Sequence, residues 1–354
     1  MAALMMMVSA TACIMDNEEP GANNGDDGLM MVSFRVVTPN QSAASRSDNT
    51  TSWEQDYDSD NGSDFDNLLL RDRFKVIITD TDCKEVANVV NLYCATSTTD
   101  AGATTYDFVG IIADADFDAV KTLKAGKLHI IANTNADFVD EATFTLSGQP
   151  GDSFNAIPMW GVHTVNFSGM TKGQRFDAGE VWLLRAIAKV EILLSTDDDN
   201  IITALTDATL PGINTSGYLL PTTWDSTNET KKLTYEQSFR PIESAVTGQL
   251  TAAVSQDNKI VFYLPERLNT ADDNELAISV TYTTKDGKNT GELRFRDYTD
   301  GVATGAPYDI VRNHLYRYTV KATENSKPGS LILNLGVCPW GNYNIDLDDT
   351  GIFE

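Results

Sequence analysis

Apolar and polar residues alternate along many short segments of the chain, and few segments show the period of an amphipathic helix. Such alternation predicts β-strands, because successive side chains of a strand point to opposite faces of a sheet. Met30–Thr38 is the first example. Its apolar face carries Val32, Phe34 and Val36. We expect this segment to be the first strand of a half-buried sheet.

Two series of short strands follow, bounded by turn-forming Gly, Asp and Asn residues. The first comprises Phe74–Thr79, Val89–Cys94, Tyr106–Ile112, Leu128–Asn133, Ala142–Leu146 and Thr164–Phe167. The second comprises Val181–Leu194, Leu219–Pro221, Leu250–Ala253, Lys259–Leu264, Leu276–Thr283, Glu292–Phe295, Asn313–Lys321 and Ser330–Val337. Within the second series, Lys285–Lys288 predicts a hairpin turn. The two series predict tandem β-sandwich domains at residues 29–177 and 178–354.

Only two helices are predicted. Asp116–Leu123 places Phe117, Val120 and Leu123 on one apolar face. Asn200–Leu205 follows a run of three aspartates, residues 197–199. We expect this run to cap the helix or solvate a turn rather than to bind calcium, because the spacing of an EF-hand is absent.

A long polar loop, residues 39–67, follows the first strand. It contains a single basic residue, Arg46, between Arg35 and Arg71. Exposed loops of this kind are preferred sites of proteolysis. A cut after Arg46 frees the first strand and leaves a groove that another strand can fill. The alternative is an ordinary surface loop with an ordinary arginine.

Charge and motifs exclude several classes of function. The 354 residues carry 26 Lys and Arg against 51 Asp and Glu, a net charge of −25, which disfavours binding to nucleic acid or to an anionic membrane surface. His129, His163 and His314 lack the spacing of a metal site, and the motifs of nucleophile elbows and phosphate loops are missing. We therefore predict a protein that is not an enzyme, with no catalytic residue, cofactor or metal.

The first thirteen residues are apolar and end in small residues before Cys13. They resemble a lipoprotein signal, although a basic start is missing and Ala10 stands where leucine is usual. Residues 14–28 form an acidic tether. The prediction is a lipid on Cys13; a buried or incidental cysteine is the alternative. In an exported chain, Cys83 and Cys94 either form a disulfide across a hairpin or stay reduced and buried.

Four segments have sequence patterns that are more distinctive than their residue composition alone. They are Ala156–Gly161, Leu183–Leu194, Phe262–Glu266, and Ile310–Lys321 with the strand that closes on Trp340. We expect Trp160 and Trp340 to be packing residues rather than a platform for sugars. We expect Arg185 and Lys189 to snorkel or to pair with acids on the exposed strand face rather than to bind a ligand. In this order, the four segments resemble the fimbrillins, the type V pilins of Bacteroidetes, from Leu29 to Trp340.

The resemblance implies two tandem transthyretin-like Greek-key β-sandwich domains with few short helices. It also implies export as an outer-membrane lipoprotein, cleavage by an Arg-specific protease, and polymerisation into a surface fimbria by donor-strand exchange. Arg46 then takes the place of the cleavage residue, and the strand with Val32, Phe34 and Val36 is removed. The implied partners are other fimbrial subunits, in a homopolymer or with minor pilins, and a host or bacterial surface receptor.

The C-terminal tail, residues 341–354, is the candidate donor strand. Tyr343, Ile345 and Leu347 alternate with polar residues, and Ile352 and Phe353 follow a turn-prone stretch. The alternative is that this tail is the last strand of its own domain. For the whole protein, the alternative is a surface lipoprotein that binds glycan or protein and never polymerises.

Overall fold

β-Strands dominate the computed structural model. It describes residues 30–37, 66, 68–100, 103–146, 156–225, 230, 233, 235–243, 247–255, 258–270, 275–299, 302–327 and 329–339. The predicted all-β chain with few short helices is confirmed. The structure has two hydrophobic cores, one formed mainly by the first half of the chain and one by the second half.

The first half forms a closed ring of seven strands, which we call the N-terminal barrel. Its strands are β1 Met30–Val37, β2 Phe74–Thr79, β3 Glu85–Asp100, β4 Ala103–Ile112, β5 Gly126–Ala132, β7 Met159–Val165 and β8 Phe176–Arg185. Around the ring they are ordered β1-β4-β3-β2-β5-β7-β8. The short strand β6, Thr143–Thr145, lies outside the ring. The ring closes because β1 pairs antiparallel with β4 and parallel with β8.

The second half is a sandwich of two four-stranded sheets, as predicted, and we call it the C-terminal sandwich. Its strands are β9 Ile187–Leu194, β10 Ile202–Asn214, β12 Thr247–Ala253, β13 Lys259–Pro265, β14 Ala277–Thr284, β15 Gly287–Arg294, β18 His314–Lys321 and β19 Ile332–Pro339. One sheet is ordered β12-β10-β14-β15 and the other β13-β9-β18-β19. β11, Ser216–Tyr218, pairs with β6, and β16, Asp297–Thr299, pairs with β17, Val302–Thr304.

Helices are short. α1 is Phe117–Lys121 and α2 is Tyr235–Ser238, and single 3-10 turns occupy Arg71–Arg73, Asp114–Asp116 and Phe167–Gly169. α1 lies within the predicted helix. Its Phe117 and Val120 are buried in the barrel core, and Leu123 packs against that core from just beyond the helix. The predicted apolar face is therefore confirmed.

The predicted helix Asn200–Leu205 is wrong, because Ile202 begins the long strand β10. β10 lies between β12 and β14, and its backbone hydrogen bonds go to those strands instead of to a helical turn. The aspartates before it form a turn in which Asp197 and Asp199 accept hydrogen bonds from Lys321. Pro211 and Gly212 interrupt the alternation of apolar and polar residues that would have predicted this strand. They form a bulge, with Gly212 at a φ of 75°.

The predicted single strand Val181–Leu194 is also wrong: it is two strands separated at Ala186. Ala186 donates its N–H to the carbonyl of Pro158, and the chain passes there from the barrel to the sandwich. The expected boundary between residues 177 and 178 falls inside β8. The predicted strand Leu219–Pro221 is wrong, because β11 ends at Tyr218. Leu219 and Leu220 lie just after it and are buried in the barrel core. The hairpin turn is confirmed, since Thr284 pairs with Gly287.

Candidate functional site at the first strand

β1 is an integral part of the barrel core. Met30, Val32, Phe34, Val36 and Val37 are buried, as the alternation predicts for its apolar face. Each residue of β1 has a partner on β4, in an unbroken antiparallel register of eight pairs. The strand therefore contributes core side chains and backbone pairing together.

An aromatic stack fixes the centre of β1. The ring of Phe34 stacks on that of Phe108 of β4, with ring centroids 5.6 Å apart. Phe108 in turn stacks on Phe74 of β2 at 5.0 Å. Aromatic pairs at this separation stabilise a core beyond the area they bury. The ring of Phe34 therefore connects the centre of β1 to β4 and, through Phe108, to β2.

On its other side, β1 makes a weaker seam with β8. The parallel register shifts between Ser33 and Arg35, so the pairing is interrupted at the centre of the strand. Gly179 of β8 lies opposite this interruption with a φ of 84°. A Cβ atom at Gly179 would approach Nε2 of His163 to 2.9 Å, so the bulge requires glycine there.

The solvent-facing side of this seam is charged. Arg35 lies between Asp107 of β4 and Glu180 of β8, which are its partners in the two registers. Nε of Arg35 donates to Oδ1 of Asp107 at 2.8 Å. The hydrogen bond to Asp107, with its charge and those of Glu180 and Asp177, raises the pKa of Arg35. A cleft of about 470 Å³ opens here, with Arg175 also in its lining.

Several predicted site residues lie outside the described residues. They are the lipidation residue Cys13, the cleavage residue Arg46, the packing residue Trp340, and the donor-strand residues Tyr343, Ile345, Leu347, Ile352 and Phe353. Of the predicted protease-sensitive loop, the structure describes Asp66.

Asp66 fixes the C-terminal end of that loop between the barrel and the sandwich. It is fully buried, and its carboxylate accepts hydrogen bonds from Nζ of Lys189 at 2.8 Å and from the hydroxyl of Tyr263 at 2.6 Å. Its carbonyl accepts a hydrogen bond from Nε of Arg185 at 2.9 Å. Lys189 and Arg185 are thus buried, and the prediction of an exposed strand face is wrong. The strand face that carries Lys189 and Arg185 is covered by the end of the polar loop, which the sequence pattern predicts to be exposed to solvent.

The charge network continues across the sandwich sheet through Glu191. Its carboxylate contacts Nζ of Lys189 at 2.9 Å and Nη2 of Arg317 at 2.8 Å. Burial raises the pKa of Glu191, but Lys189 and Arg317, with Lys259 nearby, outweigh burial and hold it at about 2. The carboxylate is therefore charged at neutral pH, and the network needs it in that form.

A second buried ion pair lies beside β11, the short strand that links the two halves. Nη2 of Arg312 donates to Glu266 at 2.7 Å, and the same guanidinium donates to the carbonyls of Tyr218 and Leu219. Tyr218 belongs to β11, which pairs with β6 from the first half. Sequence reasoning missed this pair, because the two residues are far apart in the chain and only the fold brings them together.

The remaining candidates are structural. Trp160 is buried and donates its Nε1–H to Nδ1 of His129, so its prediction as a packing residue is confirmed. Burial lowers the pKa of His129 to about 3. Cys83 and Cys94 are both buried and are not joined to each other, which decides against the disulfide. Over the described ranges, we find no cluster of His, Cys, Asp and Glu that could hold a metal, and no helix long and apolar enough to span a bilayer.

The sequence matches no protein-family model and no curated protein. Solved structures that it resembles include the tip fimbrial protein Mfa3 of Porphyromonas gingivalis, with a C-terminal truncation, at 14% identity and a TM-score of 0.49, covering 88% of this chain and 100% of that one. A putative cell adhesion protein from Bacteroides uniformis has 9% identity and a TM-score of 0.46, with 89% and 98% covered. One from Bacteroides eggerthii has 14% identity and a TM-score of 0.45, with 91% and 100% covered. Likeness at this level assigns neither a family nor a function.

Proposed function

We propose that this protein is a fimbrillin-like subunit of a cell-surface fimbria, in which β1 is removed by proteolysis and replaced by a strand of another subunit. The observation that carries the proposal is the position of β1. It fills one complete place in a closed barrel, with five buried side chains, and it is the first strand of the chain that the structure describes.

The chain order makes β1 separable. Its two neighbours, β4 and β8, come later in the sequence, so a single cut between β1 and β2 leaves β1 attached by non-covalent contacts alone. A cut after any of the strands β2 to β5 instead leaves two fragments that each contribute more than one strand to the ring. We assign the cut to Arg46, the single basic residue of the loop. The buried contacts of Asp66 keep the other end of the loop in place after the cut.

Cleavage alone does not expel β1. Each of its buried apolar side chains contributes about 1.5–3 kcal/mol, and each backbone hydrogen bond adds about 0.5–1.5 kcal/mol. Exchange therefore needs a competing strand that restores the same contacts. This requirement couples removal of β1 to assembly, because the barrel passes from one occupant to the next without an empty core.

The C-terminal tail is our proposed donor to a neighbouring subunit. Tyr343, Ile345 and Leu347 have the spacing of the inward side chains of β1. We expect deletion of residues 342–354 to block polymerisation and to change the thermal midpoint of the subunit only slightly. A large fall in the midpoint shows instead that the tail belongs to its own core.

The precursor is proposed to be held at the outer membrane by a lipid on Cys13. Cleavage after Arg46 then breaks the covalent link between the subunit and its anchor, and the exchange of β1 releases the subunit, because the lipid stays with the fragment that carries β1. Mass spectrometry of the membrane-extracted precursor is expected to find an acylated Cys13, and a free thiol there contradicts the anchor.

Two proteases and two variants test the cleavage step. In the presence of donor strands, Arg46→Lys is expected to assemble after trypsin treatment but not after treatment with an Arg-specific protease, while Arg46→Ala assembles with neither. Size-exclusion chromatography follows assembly, and N-terminal sequencing is expected to read Ser47 first. A subunit that is cut after Arg46 and stays monomeric in the presence of donor strands supports the non-polymerising alternative. Assembly of Arg46→Ala contradicts the cleavage model.

A further inference from the structure

One outward position of β1 is flanked by acids on both sides. Residue 35 pairs across the sheet with Asp107 of β4 and with Glu180 of β8, and Arg35 supplies a positive charge between them. Side chains directly opposite each other on neighbouring strands interact, and like charges in such pairs are destabilising. When β1 leaves, Asp107, Asp177 and Glu180 remain around the cleft with Arg175 as the one base.

Resting on the proposed function, we propose that the vacated barrel selects a donor strand that carries Lys or Arg at the position of Arg35. The same strand carries apolar residues at the three inward positions around it. Such a strand comes from a different protein, so the barrel is filled by a second kind of subunit and not by another copy of this chain.

The tail of this chain does not meet the requirement. Residues 341–354 contain four acids and no Lys or Arg, so no alignment of the tail places a base between Asp107 and Glu180. With Tyr343, Ile345 and Leu347 at the positions of Val32, Phe34 and Val36, Asp346 occupies the position of Arg35. Moving the tail by two residues in either direction places Asn344 or Asp348 there.

The charge of the whole chain acts in the same direction. The full chain carries a net charge of −25, and residues 1–46 hold only five of its acids and two of its bases, so two cut copies are both strongly acidic and repel each other before a strand can dock. Charges at the rim of an interface mainly change the association rate and its dependence on salt. Apolar contacts retain any bound strand, whereas the outward charge decides which strand is favoured.

Labelled peptides and the full chain cut after Arg46 test this selectivity. The reference peptide has the sequence of residues 30–38, and variants of it carry Arg35→Lys or Arg35→Asp; residues 341–354 form a fourth peptide. Fluorescence anisotropy measures their incorporation. At low salt, we expect the Arg and Lys peptides to bind about tenfold more tightly than the Asp peptide. In about 1 M NaCl, where the Debye length is about 3 Å, the ratio is expected to approach one.

A protein variant locates the effect. Asp107→Asn is expected to reduce the preference for Arg over Asp from about tenfold to about threefold, since one of the two flanking acids remains. Asp286→Asn, in the β14–β15 turn, changes the net charge equally and is expected to leave the preference unchanged. Equal binding of all peptides at low salt overturns the selectivity and leaves the proposed function standing. If no peptide enters the cut protein, strand exchange itself is contradicted.

Discussion

The first strand of each half occupies the same kind of place, and the two differ in how firmly they are held. β1 lies between an antiparallel neighbour, β4, and a parallel neighbour, β8. β9 lies between antiparallel β13 and parallel β18. The parallel register of β9 with β18 is continuous over six pairs, while that of β1 with β8 is interrupted at its centre.

The outward faces differ more than the inward ones. Both strands bury alternating apolar side chains in their own cores. On the outward face of β9, however, Lys189 and Glu191 are each 1% exposed and paired with charges, whereas Arg35 on β1 is 48% exposed. β9 is also joined to β8 through Ala186. In the proposed function, the connection and the outward face distinguish the replaced strand, because both strands contribute side chains to a core.

Breaking the outward face of β9 is expected to have the largest effect. Lys189→Ala leaves the carboxylate of Asp66 buried without its ammonium partner, which costs about 3–5 kcal/mol in the free energy of unfolding. Denaturant unfolding measures the loss. Lys321→Ala, which removes a partly exposed cation from the same sheet, serves as the control and is expected to cost far less, because exposed ion pairs contribute little to stability. Similar losses for both variants contradict the contrast.

A pH dependence sharpens the same contrast. The pKa of Glu191 lies at about 2 in the folded protein, below its ordinary value of 4.5. The stabilisation is therefore fully present above about pH 4.5 and is lost as the pH falls through about 2. Glu191→Gln is expected to destabilise the protein by about 3 kcal/mol at pH 7 and by little at pH 2. An equal loss at both pH values shows that packing, not charge, accounts for the effect.

The outward face of β1 is expected to give the smallest effect. Arg35→Ala removes an exposed ion pair with Asp107, so the uncut protein loses about 0.2–1 kcal/mol of stability. The loss is expected to shrink in high salt, because exposed charges are screened. A loss above 2 kcal/mol that persists in high salt means that Arg35 anchors β1 as Lys189 anchors β9, and the contrast between the strands fails.

Much of the fold follows from local pattern. β2 has the predicted bounds, and the apolar face of β1 is as predicted. β10 was missed because Pro211 and Gly212 interrupt its alternation of apolar and polar residues. In the fold, these two residues form a bulge in a strand that is paired with β12 on one side and β14 on the other. The break at Ala186 leaves no mark in the sequence, because an alanine fits a continuous strand equally well.

The burial of the charged residues could not be predicted from the alternation of apolar and polar residues. Alternation correctly places Lys189 opposite the apolar face of its strand, but it does not reveal what covers that second face. The cover comes from Asp66 at the end of a polar loop and from the barrel core, against which Tyr263 and Leu315, the neighbours of Lys189 on the same face of the sheet, pack. Such a contact depends on how two halves of the chain meet, and neither half encodes it alone.

The composition of the assembled fibre tests the central claim most directly. If β1 is replaced during assembly, mass spectrometry of purified fibres finds subunits that begin at Ser47 and finds no fragment that contains residues 30–37. If β1 merely stays in place after the cut, that fragment is recovered in equal amount with the subunit. The first result is the one we predict, and the second contradicts replacement of β1.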